Sequence, residues 1–226
     1  MPHPKGGYRV DGKRVPGVTT ITGRFDDKQG LMEWYMRCGV QGVDPKKAAR
    51  RAADAGTLAH DAAEHYLEGK KVNWDDLYSK LQHPPDDEQK EWARQAAGAA
   101  YIWIRKHRPK VIEIEGEYTD PDHLYGGCFD AIVEIDGKLE IIDWKTSKNI
   151  TKYNFVQLAA YMGMWEKKHG KKLDGGRVIH LCKKTGLPNG PRLNREELQP
   201  MLDEFIAMRK LYDLKKSNST LYYAKL

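Results

Sequence analysis

The strongest constraint on the fold of this chain is a predicted β-hairpin in its second half. Residues 129–135 and 139–144 follow the two-residue periodicity of β-strands. The Asp-Gly pair at 136–137 lies between them, and Asp-Gly between two such runs is the strongest short-range signal for a two-residue hairpin turn. A turn of this kind pairs Ile135 with Lys138 and thereby fixes the register of both strands.

This register brings two carboxylates together. Counting back from the turn, Asp130 lies opposite Asp143 as a non-hydrogen-bonded pair, with Cα atoms about 4.5 Å apart. Lys145 follows Asp143 by two residues and projects from the same face. Opposed carboxylates destabilise a hairpin unless something lies between them, and a hard divalent cation would remove the repulsion. The hairpin therefore predicts either a metal site or two acids at a frayed, solvated sheet end.

Two predicted helices carry polar side chains that could converge on these carboxylates. His60 and Glu64 are four residues apart, which places them on one helix face. On spacing alone, a surface His–Glu pair explains them better than a site does. Gln157, Tyr161 and Trp165 form another helical stripe. A glutamine is unusual in an apolar stripe, but a position at the stripe edge explains it equally well.

The remaining segments predict helices around a mixed sheet, with no repeat or linker. A small β element is expected over 8–22, ending in a β-rich run at 18–22. Further strands are predicted at 111–118 and 177–182. We expect one α/β domain over 1–226, made of a hairpin with helices (1–110) and a sheet core with closing helices (111–226). The predicted helices cover 27–38, 46–68 with a break at Gly56, 75–80, 86–107, 153–169 and 194–215.

Composition excludes several classes of protein. With 31% charged and 40% hydrophobic residues, the chain is neither disordered nor fibrous. No run approaches the roughly 18 apolar residues of a membrane span. The first seven residues lack the apolar segment of a secretory signal, so we expect a cytoplasmic protein without a membrane partner. The net charge of +6 suits a polyanionic partner but does not distinguish a binding protein from an enzyme.

The same polar residues resemble a known family. Asp130, followed by Asp143-x-Lys145, is similar to the D…(D/E)xK signature of the PD-(D/E)XK nuclease superfamily. Gln157-x-x-x-Tyr161 resembles the Q-x-x-x-Y motif of its RecB-like exonuclease branch.

Two upstream segments extend this resemblance. Residues 56–60 match the G-T-x-x-H histidine motif of the branch, and residues 16–21 resemble its N-terminal V-T-x-[IL] segment. Four motifs in order between residue 16 and about residue 165 make the resemblance specific. Within the branch, the chain is similar to the mitochondrial genome maintenance exonuclease and its phage relatives.

The resemblance implies a restriction-endonuclease-like fold and metal-dependent hydrolysis of phosphodiester bonds. Asp130 and Asp143 would hold Mg²⁺ or Mn²⁺, as one or two ions. His60 and the backbone carbonyl of Trp144 would be further ligands. Lys145 would orient the attacking water and offset charge in the transition state.

Other roles follow from the same resemblance. Gln157 and Tyr161 would position the nucleic acid. Glu115 or Glu117 could be the extra acidic residue of some family members, and Glu64 is a further candidate. The chain has only three cysteines, so no iron–sulfur cluster of the four-cysteine type is expected. The candidates for contacts to the DNA backbone are Lys148, Lys152, Lys183 and Lys184.

We therefore expect a DNA exonuclease that acts on free or single-stranded ends in a bacterial cell or phage-infected host. Its pathway would be replication, recombination or repair, and a protein of that pathway is a further candidate partner. Two alternatives stay open: a structure-specific endonuclease of the same fold, and a catalytically degenerate module that binds DNA or a partner protein. Intact Asp130, Asp143 and Lys145 argue against the degenerate module. The sequence does not predict the oligomeric state.

Overall fold

The computed structural model describes residues 6–26 and 29–223, with side chains described as far as residue 214. Residues 27 and 28, at the start of one predicted helix, lie outside the described residues. No helix in the described part is long and apolar enough to cross a membrane. In chain order the elements are β1 (Arg9–Val10), β2 (Lys13–Arg14), α1 (Val18–Thr22), α2 (Gln29–Val40), α3 (Pro45–Leu67), α4 (Trp74–Ser79), α5 (Asp87–His107), β3 (Lys110–Ile114), β4 (Glu117–Asp120), β5 (Tyr125–Cys128), β6 (Ala131–Ile135), β7 (Lys138–Lys145), α6 (Lys152–His169), β8 (Gly175–Leu181), β9 (Pro188–Asn189), β10 (Arg192–Asn194) and α7 (Arg195–Tyr223).

A six-stranded mixed sheet forms the centre of the molecule. Its strands are ordered β10-β8-β7-β6-β3, and β9 also pairs with β8. The β7–β8 pair is parallel, because α6 connects these two strands as a crossover, and the other pairs are antiparallel. Helices flank both faces. The predicted α/β fold with a central mixed sheet is therefore confirmed.

The central hairpin has the predicted register. Ile135 pairs with Lys138, and Ile132 pairs with Ile141. Both turn residues at 136–137 have positive φ angles, as a type I′ turn requires. The regular pairing nevertheless ends one pair before the two carboxylates, so Asp130 and Asp143 are not ladder partners.

Two apolar layers hold the sheet between helices. On one face, α6 packs against Ile132 and Ile141, with α1 and α7 completing that layer. On the other face, α3 and α5 pack against the sheet through alanines. Small side chains let these two helices lie close to the strands and to each other. The alanine-bearing helix faces include Ala59, Ala63, Ala96, Ala99 and Ala100.

The prediction that residues 18–22 continue a β-rich run is wrong, because Val18–Thr22 is a short helix. Val18 and Ile21 are three residues apart, so a helix directs both toward the core that surrounds α6, and both are buried. Burial against that core outweighs the β-propensity of valine, isoleucine and threonine, which depends strongly on context.

Two further boundaries differ from the predictions. Gly56 does not break its helix, since α3 is continuous. The predicted strand 111–118 is divided at Glu115, which has a φ of 51°. Beyond this point the chain leaves the central sheet, and β4 pairs with β5, a strand that the sequence did not predict. Its glycines are required by packing, because a Cβ at Gly126 would lie 2.4 Å from the Tyr8 ring.

Candidate active site

Asp143 and Lys145 lie at the end of β7, in the middle of the sheet. Asp143 is fully buried, and its Oδ2 is 2.5 Å from the Lys145 Nζ. Apart from this ion pair, neither oxygen of Asp143 has a hydrogen-bond partner in the part of the chain that the structure describes. A buried carboxylate with so few partners is costly, which indicates that a cation would be favourable here.

Asp130 lies directly before β6 and is held from two sides. Its Oδ1 is 3.1 Å from His60 Nδ1, and its Oδ2 accepts a 2.6 Å hydrogen bond from the Trp144 backbone N–H. The carboxylate thus takes the place of a main-chain acceptor, which explains why the regular ladder stops before the predicted 130/143 pair. Asp130 is thus linked to β7 by a hydrogen bond from the Trp144 backbone to its side chain.

The two carboxyl groups have different electrostatic environments. Burial raises the pKa of Asp143; Lys145 opposes this effect and the charge of Asp130 adds to it. Burial also acts to raise the pKa of Asp130, but His60, Lys145 and the Trp144 N–H together outweigh it and lower that pKa. Asp130 is therefore the more stable carboxylate, and Asp143 is the one that gains most from a nearby cation.

Helix α3 brings His60 to the site because of a glycine one turn earlier. A Cβ at Gly56 would lie only 2.8 Å from Thr146 Oγ1, so glycine lets α3 approach the end of β7. The structure therefore places His60 beside Asp130.

The candidate extra acids lie at different places. Glu64 and Glu115 line a narrow cavity that also contacts His60 and Asp130, whereas Glu117 is not part of its lining. Burial and the neighbouring acids, Glu115 first among them, raise the pKa of Glu64. The cavity is therefore an acidic extension of the site on the side of α3.

Helix α6 covers the site with Gln157 and Tyr161, both of which are buried. Gln157 Nε2 donates a 2.8 Å hydrogen bond to the Tyr161 hydroxyl. Burial and then the charge of Asp143 raise the pKa of Tyr161, so this hydroxyl stays protonated near the carboxylate. Trp165 belongs elsewhere, since its indole N–H donates to Glu113 Oε2 at 2.9 Å.

The candidate DNA-binding lysines differ in their freedom to contact a ligand. Lys148 and Lys184 are exposed, and Lys152 forms a 2.7 Å ion pair with Glu204. Lys183 is partly buried, with its Nζ 3.5 Å from the Ala52 carbonyl oxygen, and burial lowers its pKa. Lys183 is therefore engaged within the protein.

Sequence reasoning missed two residues that lie beside the site. Thr146 contacts α3, and its proximity to Gly56 has no signal in the sequence. His180 of β8 is the Cα partner of Lys145 in the parallel pairing. The register between strands joined by a long crossover cannot be counted from a turn, so no motif could have identified His180.

A divalent cation fits the donors at this site. Mg²⁺ prefers carboxylate oxygens, retains several waters and needs only one or two carboxylates from the protein. Asp143 offers buried oxygens without hydrogen-bond partners, and Asp130 lies beside it. Within the described ranges, no three His, Cys, Asp or Glu side chains form a complete ligand set. His60 contacts Asp130 through Nδ1, which leaves Nε2 as its candidate ligand atom, and water would complete the coordination.

Comparison with known protein families identifies the family of the chain. The chain matches the sequence model of the PD-(D/E)XK nuclease superfamily over residues 31–215. A search of curated proteins finds no significant match. One similar solved structure is a protein from Eubacterium rectale described as a candidate exonuclease, with 16% identity, coverage of 72% of this chain and 68% of that one, and a TM-score of 0.47. Another is LHK-Exo in complex with dAMP, with 15% identity, coverage of 75% and 97%, and a TM-score of 0.37.

Likenesses to solved structures at this level do not bear on substrate or on the roles of individual residues. The family match does bear on identity, because it spans most of the chain and includes both the carboxylate hairpin and α6. The chain belongs to the PD-(D/E)XK nuclease superfamily, a group of hydrolytic nucleases that generally use divalent metal ions.

Proposed function

We propose that the protein is a DNA exonuclease of the RecB-like branch that depends on Mg²⁺ or Mn²⁺ and hydrolyses phosphodiester bonds at free or single-stranded ends. The observation that carries the proposal is the fully buried Asp143, whose carboxylate has no partner among the described residues apart from the Lys145 ammonium group. Membership of the nuclease superfamily supports the reaction class. The order of the four sequence motifs supports the branch and the preference for ends.

The protein's part in the reaction begins with the two carboxylates. Asp130 and Asp143 would hold the cation, with His60 and the Trp144 carbonyl as additional ligands. His60 would keep the carboxylate of Asp130 in place through its Nδ1 contact. The chemistry that a bound divalent ion supplies is polarisation of the scissile phosphate and a lower pKa for an attacking water.

Lys145 would act on the phosphate itself. In the described structure its ammonium group neutralises Asp143. With Asp143 engaged in holding the cation, Lys145 would be free to hold the attacking water and to stabilise the negative charge that develops on the phosphate. Glu64 and Glu115 are candidate ligands for a second ion, because they line the adjoining cavity. Glu117 is a weaker candidate.

Other residues would bind the substrate. Gln157 and Tyr161 would position the nucleotide next to the carboxylates, and exposed Lys148 and Lys184 would contact phosphates. Lys183 is a weaker candidate because its side chain is already engaged. We further propose a role in phage or bacterial DNA replication, recombination or repair, on the strength of the sequence resemblance.

Digestion of labelled DNA tests the activity directly. Linear single-stranded and double-stranded DNA with labelled ends, and circular single-stranded DNA, are incubated with Mg²⁺, with Mn²⁺ and with EDTA. We expect linear DNA to be degraded only with metal, and circles to remain intact. Cleavage of circles would instead support the endonuclease alternative. Binding without cleavage under every condition would support the degenerate module.

Removal of the central residues tests the site. We expect Asp143→Ala and Lys145→Ala to lower cleavage at least about 100-fold, because each removes charge stabilisation at the reacting phosphate. Circular dichroism should show an unchanged fold, and fluorescence anisotropy should show that most DNA binding remains. Val40→Ala, at an exposed position on α2, serves as the control. Purified Asp143→Ala that cleaves at the wild-type rate would refute the proposed site.

A further inference from the structure

A row of polar side chains extends from the carboxylates across the sheet. The C-terminal ends of β7 and β8 lie at the same end of the sheet, and the parallel pairing of these strands places His180 beside Lys145. The next pairing places Asn189 of β9 beside His180. Laterally paired residues project from the same face, at an interstrand spacing of about 4.8 Å. Lys145, His180 and Asn189 therefore form one continuous row, which we call the β7–β8–β9 row.

This row lies on the face that carries the catalytic carboxylates. Val178, two residues before His180, is the Cα partner of Asp143 and packs in the core around α6. Side chains alternate along a strand, so His180 shares the face of Val178 and Asp143. Exposure increases along the row: Asp143 is fully buried, Lys145 and His180 are partly exposed and Asn189 is exposed. The row therefore leads from the carboxylates to solvent.

Two side chains of the row can donate hydrogen bonds to a ligand. Neither His180 nor Asn189 makes a side-chain hydrogen bond or ion pair with any residue that the structure describes. An imidazole N–H and an amide NH₂ both donate to phosphate oxygens. Two adjacent unpaired donors, beside the lysine that faces the reacting phosphate, match the next phosphate of a nucleic-acid backbone.

The opposite direction across the sheet is unfavourable for a phosphate backbone. Beyond Asp130, the neighbouring side chains on that side include Glu64 and Glu115, which are acidic. Beyond the β7–β8–β9 row, the chain continues into Lys184, which is exposed, whereas Lys183 is engaged with α3. Charge complementarity therefore directs a polyanionic strand across β8 and not across β6.

We propose that His180 and Asn189 bind the phosphate next to the scissile one, so that the substrate strand runs from the carboxylates across β8 to β9. This inference rests on the proposed nuclease function and adds the substrate path. His180 would act as a positioning residue, because it holds the neighbouring phosphate while the reacting one lies at Lys145.

Binding and kinetics of His180→Ala and Asn189→Ala test this path. We expect a roughly tenfold higher Kd for a fluorescent single-stranded oligonucleotide in EDTA, and a similar rise in KM with Mg²⁺, because each variant loses a hydrogen bond to a charged group. The value of kcat should change less than KM. His180→Gln, which keeps a donor, should recover part of the affinity. His83→Ala, at an exposed loop position between α4 and α5, is the matched control.

Neutral substrate analogues locate the contact. Oligonucleotides carrying a methylphosphonate on one side or the other of the scissile phosphate remove one charge each. On one side, the wild type should lose as much affinity as His180→Ala does, and the two changes together should add nothing further. The inference would be overturned if the loss of affinity caused by the methylphosphonate added to that of His180→Ala on both sides of the scissile phosphate. A wild-type Kd for His180→Ala would also overturn it.

The two proposals can fail separately. A wild-type protein that binds the oligonucleotide but cleaves it with neither metal would refute the nuclease function, while the Kd comparison in EDTA still decides on His180. A cleaving wild type with an unchanged His180→Ala variant would refute only the substrate path. A wild type that neither binds nor cleaves would refute both.

Discussion

At the scale of single residues, Asp143 is an ionisable group placed where ionisation is unfavourable. Burial raises its pKa to about 6, so the folded protein binds a proton there more tightly than the unfolded chain does. The stability from this proton is present at acidic pH and is lost as the pH rises through about 6. The metal-free protein should therefore be less stable at pH 8 than its packing alone would allow.

Asp143→Asn tests this cost, since asparagine keeps the shape and removes the charge. In EDTA at pH 8 we expect the variant to be more stable than the wild type by roughly 1 to 3 kcal/mol, while cleavage with Mg²⁺ is lost. Urea denaturation at several pH values measures the difference, which should shrink as the pH falls through about 6. A constant difference from pH 8 to pH 5 would show that the charge is not its cause.

Gly56 offers a second test at this scale. In Gly56→Ala the new Cβ would meet Thr146 Oγ1 at 2.8 Å, so α3 or the end of β7 must shift. We expect a loss of about 1 to 2 kcal/mol in stability, and reduced cleavage because His60 moves with α3. Thermal denaturation and DNA digestion measure both effects.

Matched substitutions separate this contact from a general effect of alanine in helices. Gly98→Ala in α5 meets no atom within 4 Å and should be neutral or stabilising by up to about 1 kcal/mol. Adding Thr146→Ala to Gly56→Ala removes the clashing oxygen and should restore stability. If Gly56→Ala is as stable as wild type, the close approach of α3 does not require glycine.

The sequence predicted the central residues well where the geometry is local. One turn fixes the register of the hairpin, so Asp143, Lys145 and their shared face followed by counting. The hydrogen bond from the Trp144 N–H to Asp130 could not be predicted by counting, because a side chain replaces a main-chain acceptor there. Such replacements depend on the folded surroundings and leave no pattern in the sequence.

At the scale of elements, long helices were predictable and short irregular segments were not. Helix α5 has a capping box at Asp86 and an apolar stripe, and both signals are local. The segment Val18–Thr22 has strand-forming residues but lies against α6, and that contact decides its conformation. Strand β5 contains two adjacent glycines, which are needed because the rings of Tyr8 and Tyr161 pack closely against them.

Helices α6 and α7 are joined by an ion pair that should control stability in acid. Glu166 is buried and accepts two hydrogen bonds from Arg195, at 2.8 and 3.0 Å. Burial acts to raise the pKa of Glu166, but Arg195, Lys172 and the Leu173 N–H outweigh it and lower that pKa. A lowered carboxyl pKa stabilises the folded state above the unfolded-state pKa, and this contribution is lost as the pH falls through the folded-state value.

We therefore expect Glu166→Ala to cost about 2 kcal/mol at neutral pH, because it leaves Arg195 without its carboxylate partner in a partly buried position. The cost should decrease below about pH 4. Glu204→Ala removes an exposed ion pair between the same two helices and should cost less than Glu166→Ala does. Equal costs for the two variants in urea denaturation would contradict the importance of burial.

At the scale of the whole molecule, the contribution of the net charge of +6 to DNA binding can be tested by varying the salt concentration. Each lysine that contacts a phosphate of single-stranded DNA contributes about 0.7 to the slope of log affinity against log salt concentration. Lys148→Ala should lower the slope by about this amount. Lys183→Ala should leave it unchanged, because its ammonium group is engaged with α3. Titrations between 50 and 300 mM salt measure both slopes, and equal changes would refute the distinction.

The overall topology was only partly predictable. Alternating helices and strands indicated an α/β fold, which is confirmed, while the parallel β7–β8 register and the departure of β4 from the central sheet were not foreseen. Both depend on contacts between segments far apart in the chain. The assignment of residues 1–226 to one domain stays a prediction.

The buried charge of Asp143 also links metal supply to the survival of the protein. An ion that binds the folded state and not the unfolded chain stabilises the fold by mass action, at about 1.4 kcal/mol for each tenfold excess over its Kd. The chelated protein would then unfold more often and be degraded sooner by proteases. Under the proposed function, a fall in free divalent ions would reduce the abundance of the enzyme as well as its turnover.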